Sequence, residues 1–161
     1  MSPSIPQQVR VGVGVFVLKS TQEPADNPTF LVGRRKGSHG SGTYALPGGH
    51  IEYGEGTEAC AARELLEETG LTATGLRPLT NTNDYFLVED KHYITLFLVC
   101  TRKDESQEPQ ILEPDKCDGW EWIQWREVVK WVVGAEEAPD RKVFLPLVNL
   151  IKQRPGVVPV L

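Results

Sequence analysis

From Val11 to Leu18 the chain is almost continuously apolar and rich in β-branched residues, which predicts a buried strand. Thr21 to Asn27 is polar and contains a proline, so it reads as a loop, and Phe30 to Arg34 starts the next strand. Thr43 to Leu46 leads into Leu46-Pro47-Gly48-Gly49, a strand end running into a turn. The period then changes to that of a helix over about Glu58 to Thr69, with Thr57 as N-cap, Glu58 in the first turn, Gly70 as the stop and Ala61 and Leu65 as an apolar stripe. Asn83 to Val88 and Tyr93 to Cys100 form a strand pair around Glu89-Asp90-Lys91. Trp120 to Trp125 alternates as a further strand with Trp120 and Trp122 on one face, where core packing accounts for at least one of them. Between these lies a long polar loop, Ser106 to Asp118, with two prolines. Arg126 to Val133 and Phe144 to Gln153 are helix candidates separated by the acidic stretch Gly134 to Asp140. There is no internal repeat, low-complexity tract or membrane-length apolar run.

A chain of 161 residues fits one domain, 1–161, with 1–9 and 155–161 expected as flexible tails. The net charge of -5 argues against a nucleic-acid polymer as ligand, while leaving a free nucleotide compatible. Three cysteines, Cys60, Cys100 and Cys117, lack metal-ligand spacing. No signal-like segment stands near the N-terminus, so a reduced, cytosolic protein that does not engage membranes is expected.

Chemistry concentrates between Gly49 and Leu71. Glu64, Glu67 and Glu68 stand at i, i+3 and i+4 and so share one helical sector, where their like charges repel and call for a cation. Hard oxygen ligands on a rigid element suit Mg²⁺ or Mn²⁺, which take their remaining ligands from water and substrate phosphates, and a carbonyl of Gly48 or Gly49 supplies a further oxygen. Arg63 is the one cation within that helix, and a bidentate pair with Glu55 gives both a structural role, locking loop to helix. A merely solvated acidic face has no need of a Gly-Gly turn, an early Glu, a single Arg and a Gly stop at set offsets. Arg34, Arg35 and Lys36 at a strand end can neutralise a triphosphate or be surface charges. His50 is nearer the chemistry than His39 or His92 but reads as a structural hydrogen-bonder.

The series Gly49, Glu55, Arg63-Glu64-Leu65, Glu67-Glu68 and Gly70-Leu71 fills every fixed position of the Nudix box, so the chain resembles the Nudix hydrolases. Arg10 to Val15, Gly33 to Ser38, Leu46 to His50, His92 to Thr95, Glu113 to Lys116 and Trp120 to Trp122 extend the resemblance to the MutT-like nucleotide triphosphate diphosphatases, which include a vertebrate thiopurine-nucleotide hydrolase and a small plant enzyme. The resemblance implies an α/β Nudix fold, a mixed β-sheet sandwiched between α-helices. It also implies a homodimer and Mg²⁺-dependent attack of water on a diphosphate, with a nucleoside triphosphate such as an oxidised purine deoxynucleotide giving monophosphate and pyrophosphate. NADH, a pterin triphosphate or an isoprenyl diphosphate is the alternative substrate, and a silent nucleotide-sensing module is the non-enzymatic one. By the same resemblance, Glu64, Glu67 and Glu68 are metal ligands and catalytic groups, Glu113 is a further acid from a later loop, and Arg35 binds phosphate. Thr95, Phe144, Leu145 and Leu147 shape the leaving-group pocket. Leu145 stands where a bulky aromatic is expected, and the segment Lys130 to Lys142 is longer, so a roomier pocket that stacks a base poorly is expected.

Overall fold

The computed structural model describes residues 6–37 and 39–161. Residues 1–5 of the expected N-terminal tail, and Ser38, lie outside them. The element order is β1 (Val9–Leu18), β2 (Thr29–Arg35), β3 (Tyr44–Ala45), β4 (Gly48–His50), α1 (Thr57–Thr69), β5 (Ala73–Phe86), β6 (Lys91–Arg102), β7 (Cys117–Gln124), α2 (Trp125–Val133) and α3 (Leu145–Gln153), with a short 3-10 turn at Ala135–Glu137.

Strand alternation builds two hydrophobic layers. On β1, Val13, Val15 and Val17 face α1 together with Leu31 of β2 and Leu98 and Cys100 of β6. The intervening positions, Phe16, Leu18, Phe30, Val32, Phe97 and Val99, face α2 and α3. Near-continuous apolar sequence is therefore what a central strand covered on both sides requires. The sheet is mixed: β1 runs parallel to β6 over ten residue pairs and antiparallel to β2 and β4, while β5 is antiparallel to β6 and β7 to β2. This is the α/β sandwich expected from the sequence.

Three local expectations shift. The N-cap of α1 is Gly56, which has an extended backbone and whose carbonyl accepts the Cys60 N–H, so Thr57 is the first helical residue. Trp125 opens α2 instead of closing β7. β5 starts ten residues earlier than its apolar tail suggests, because it is the edge of the sheet. An edge strand exposes alternate polar residues and tolerates Pro78, with register shifts between Thr74 and Arg77 and between Pro78 and Thr80. α3 lies beside that strand. Gln153 bonds both the N–H and the carbonyl of Asn83, Asn149 bonds the same carbonyl, and Arg154, just after α3, donates to the Asn81 carbonyl. At the C-terminus Pro159 is buried and the Val160 carbonyl accepts from Arg77.

Candidate active site

With Cys60, Ala61 and Leu65 fully buried against the sheet, α1 turns Glu64 and Glu68 along its flank toward β4. The Glu64 side chain is 14% exposed, whereas Glu67 is 52% exposed and points to solvent. Gly49 makes the approach possible, since a Cβ there would lie 2.3 Å from the Glu64 carboxyl carbon. Gly48 donates its N–H to Glu68 Oε2 at 3.4 Å. Glu113, carried by the loop after β6, lines the same cavity of about 620 Å³. Burial first, then the charges of Glu64 and Glu113, push Glu68 up to about 8. Burial first, then Glu67 and Glu113, raise Glu64 as well.

Arg63 ties this wall together. Its Nε and Nη2 fork onto Glu55 at 2.7 and 3.0 Å, Nη1 reaches Glu64 at 2.9 Å and Glu67 at 3.4 Å, and Nη2 also donates to the His50 carbonyl at 3.2 Å. The Arg63 hydrogen bonds hold Glu55 down to about 2. The loop before α1, β4 and α1 are thus joined through one guanidinium.

Arg35, at the end of β2, lines the same cavity. Its Nε donates to the His39 carbonyl at 3.0 Å and its guanidinium lies 4.2 Å from the Phe144 ring centre. Among the described residues no carboxylate is within ion-pair distance of it, and burial lowers its pKa. Arg34 and Lys36, also on the rim, each stand 3.8 Å from Asp118.

The far end of the cavity is aromatic. His39, Phe86, Tyr93 and Phe144 cluster there, with ring centres 4.6 Å apart for His39 and Phe86 and 5.4 Å for Phe86 and Phe144. Leu147 and Thr95 contribute to the lining, and the Thr95 hydroxyl donates to buried Asp84, which also accepts from Thr82 and from Asn149 at 2.9 Å. Leu145, the first residue of α3, is absent from the lining. The expectation of a pocket short of stacking partners is therefore corrected: Phe144, Phe86 and Tyr93 supply the rings that Leu145 does not.

The cavity brings together Gly48, Gly49, Glu64, Glu68, Glu113, Arg35, Thr95, Phe144 and Leu147, and leaves Glu67, Leu145, Glu55 and Arg63 outside its lining. Trp120, one of the two strand tryptophans, lines the cavity, whereas His39, Phe86, Tyr93 and Asp84 were not singled out by sequence reasoning as site residues. They come from segments brought together only by the sheet, and the alternation around Tyr93 and Thr95 was the one available signal. His50 also lines the cavity, its ring 5.3 Å from Tyr93, and burial lowers its pKa.

The donor set fits a hard divalent cation: it is all oxygen, and its carboxylates raise one another's pKa. Among the described residues no three His, Cys, Asp or Glu side chains form a ready-made metal cage. Mg²⁺ characteristically uses one or two carboxylates, with water and substrate phosphates completing its shell.

The NUDIX domain family matches residues 8–148. The chain is 26% identical over 133 residues to the RNA pyrophosphohydrolase of Pectobacterium carotovorum subsp. carotovorum, covering 72% of each chain. It is 31% identical over 156 residues to the m7GpppN-mRNA hydrolase NUDT17 of Xenopus laevis, covering 85% of this chain but 50% of that protein. The crystal structure of the MutT NUDIX hydrolase from Burkholderia pseudomallei superposes with a TM-score of 0.61 at 24% identity, covering 73% of this chain and 84% of that one, a likeness of fold.

Proposed function

The chain belongs to the NUDIX domain family, and on that premise we propose that it is a divalent-metal-dependent pyrophosphohydrolase that splits a purine nucleoside triphosphate, oxidised purine deoxynucleotides included, into monophosphate and pyrophosphate. The observation that supports this reading best is the presence in one cavity of Glu64, Glu68 and Glu113 and of an arginine that has no carboxylate partner among the described residues.

Glu64, Glu68 and Glu113 would hold Mg²⁺ or Mn²⁺, with Glu67 at the solvent edge and a carbonyl of Gly48 or Gly49 as a further oxygen. When bound, that cation supplies positive charge for the diphosphate oxygens. Arg35 would present to the phosphate chain its terminal nitrogens, which bond no acceptor among the described residues. Glu68, whose part-buried carboxyl lines the cavity beside Gly48, would take the proton of the attacking water at its carboxylate oxygens. Phe144, Phe86, Tyr93 and His39 stack the base, and Thr95 and Leu147 close the pocket around it.

A free nucleotide is favoured over RNA because the net charge is -5 and the rim cations Arg34 and Lys36 each stand 3.8 Å from Asp118. Three free thiols, Cys60 and Cys100 buried among them, accord with a reducing cytosol. The test is phosphate or pyrophosphate release with and without Mg²⁺ from natural and oxidised purine triphosphates, pyrimidine triphosphates, an isoprenyl diphosphate and 5′-triphosphorylated RNA, and release of AMP from NADH. Phe144→Ala should reduce discrimination among bases by about ten- to a hundredfold, since stacking contributes about 1–3 kcal/mol per base. Absence of Mg²⁺-dependent release from every compound would refute the proposal.

A further inference from the structure

We propose that Arg102 and Trp122 are positioning residues, which fasten the loop 103–116 and through it hold Glu113 against the acidic wall of α1. This rests on reading Glu113 as part of the hydrolytic site.

Arg102 is the last residue of β6, on the α1 face of the sheet, with its side chain only 3% exposed. A guanidinium buried this deeply is ordinarily matched by a carboxylate in full contact. Here two of its nitrogens go instead to backbone carbonyls, one in the following loop and one beyond β1. Nη2 donates to Lys19, just past β1, at 2.9 Å, and Nη1 donates to Gln107 in the loop at 2.6 Å. Glu108 stands at 3.5 Å, and Nε finds no acceptor among the described residues. The guanidinium lies 4.7 Å from the Trp122 ring centre, and the Trp122 indole N–H in turn donates to Glu108 at 2.8 Å. One buried cation and one indole, stacked together, thus grip two consecutive loop residues.

The fastening continues toward the site. Gln107 donates its side-chain amide to the Gly70 carbonyl at 3.1 Å, the Gln110 N–H donates to Thr69 at 2.9 Å, and the Gln110 carbonyl accepts from the Trp120 indole at 3.2 Å. Three residues on, the Glu113 carbonyl accepts from the N–H groups of Lys116 and Cys117 at 2.9 and 3.1 Å, and the Lys116 carbonyl accepts from Lys36 at 2.8 Å. A polar loop of this length gains little from burial and carries a large ordering entropy, so point fastenings decide where it lies. Lysine has one nitrogen and cannot bridge Lys19 and Gln107 while stacking flat on an indole.

The test compares wild type with Arg102→Lys, the conservative change, and Trp122→Phe, which keeps a ring beneath Arg102 and removes the indole donor. Hydrogen exchange is read over 103–116, and kcat is read in each background with and without Glu113→Gln. Both variants should exchange faster in 103–116 while β1 and α1 stay protected. Both should lose about ten- to a hundredfold in kcat, as a misplacement near 1 Å produces, and that loss should vanish when Glu113 is already Gln. Unchanged exchange in the loop would overturn the proposal, as would a kcat loss of the same factor with Glu113→Gln. If wild type hydrolyses no diphosphate, the functional reading fails by itself, and exchange alone decides whether Arg102 and Trp122 hold the loop.

Discussion

Two adjacent glycines separate the folding of this site from its chemistry. A Cβ on Gly49 would lie 2.3 Å from the Glu64 carboxyl carbon and 2.4 and 2.6 Å from its oxygens, the mobile end of a flexible side chain. A Cβ on Gly48 would lie 1.9 Å from the Val13 carbonyl oxygen, which is backbone in the middle of β1. Gly49→Ala therefore forces Glu64 to withdraw by about 1 Å to reach ordinary contact, a displacement that costs about a hundredfold in rate, or about 2.7 kcal/mol of transition-state stabilisation. Its effect on folding should be small, because the side chain yields and alanine restricts the unfolded chain, offsetting about 0.4–1 kcal/mol. Gly48→Ala must move the sheet itself, at a cost of about 3 kcal/mol or more, which lowers Tm by roughly 6–12 °C for a domain of this size. The assays are thermal unfolding of both variants and kcat with the Mg²⁺ concentration at half-saturation. The reasoning predicts a stable, slow Gly49→Ala with a raised Mg²⁺ requirement beside an unstable Gly48→Ala. Wild-type turnover and metal dependence in Gly49→Ala, or equal loss of Tm in the two, would refute it.

Glu68→Gln should lower turnover by several orders of magnitude while raising Tm at pH 8 in the absence of divalent cation. A carboxyl pushed up to about 8 from an ordinary value of 4.5 stabilises the fold fully below pH 4.5 and loses that contribution as pH rises through 8, so a neutral amide escapes the loss. Calorimetric scans at pH 5 and pH 8 check this, and an equal shift at both would contradict it. Arg63→Ala should lower both Tm and activity, since the same guanidinium holds Glu55, Glu64 and the His50 carbonyl. Glu55 is held down to about 2, so the wild-type advantage is present above pH 4.5 and lost as pH falls toward 2. An activity loss with no change in Tm would make Arg63 a direct substrate contact.

The central layers were legible because a strand covered on both faces must be apolar throughout, as Val13 to Leu18 is. The box helix was legible because Gly70 adopts the left-handed conformation that stops it, φ 77°. What escaped was set by tertiary context. The first ten residues of β5 mix Leu76 and Leu79 with Gly, Pro, Thr and Asn and lack regular alternation, and local pattern cannot distinguish such an edge from a loop. His39, Phe86 and Phe144 are separated along the chain by about fifty residues at each step, so their shared wall exists only once the sheet has formed. Arg102 reads as an ordinary charge after a strand, and nothing nearby in sequence announces the indole across the sheet.

β5 leaves a row of outward backbone groups that would otherwise template another chain. Asn81 and Asn83 present theirs where an incoming strand would dock, and Arg154, Gln153 and Asn149 already occupy those groups. Pro78 withholds a donor from the same row. Side chains of α3 and of the residue just beyond it thus stand in for a missing neighbour strand, so a helix that borders the cavity also shields the protein from fibril-like growth along this edge.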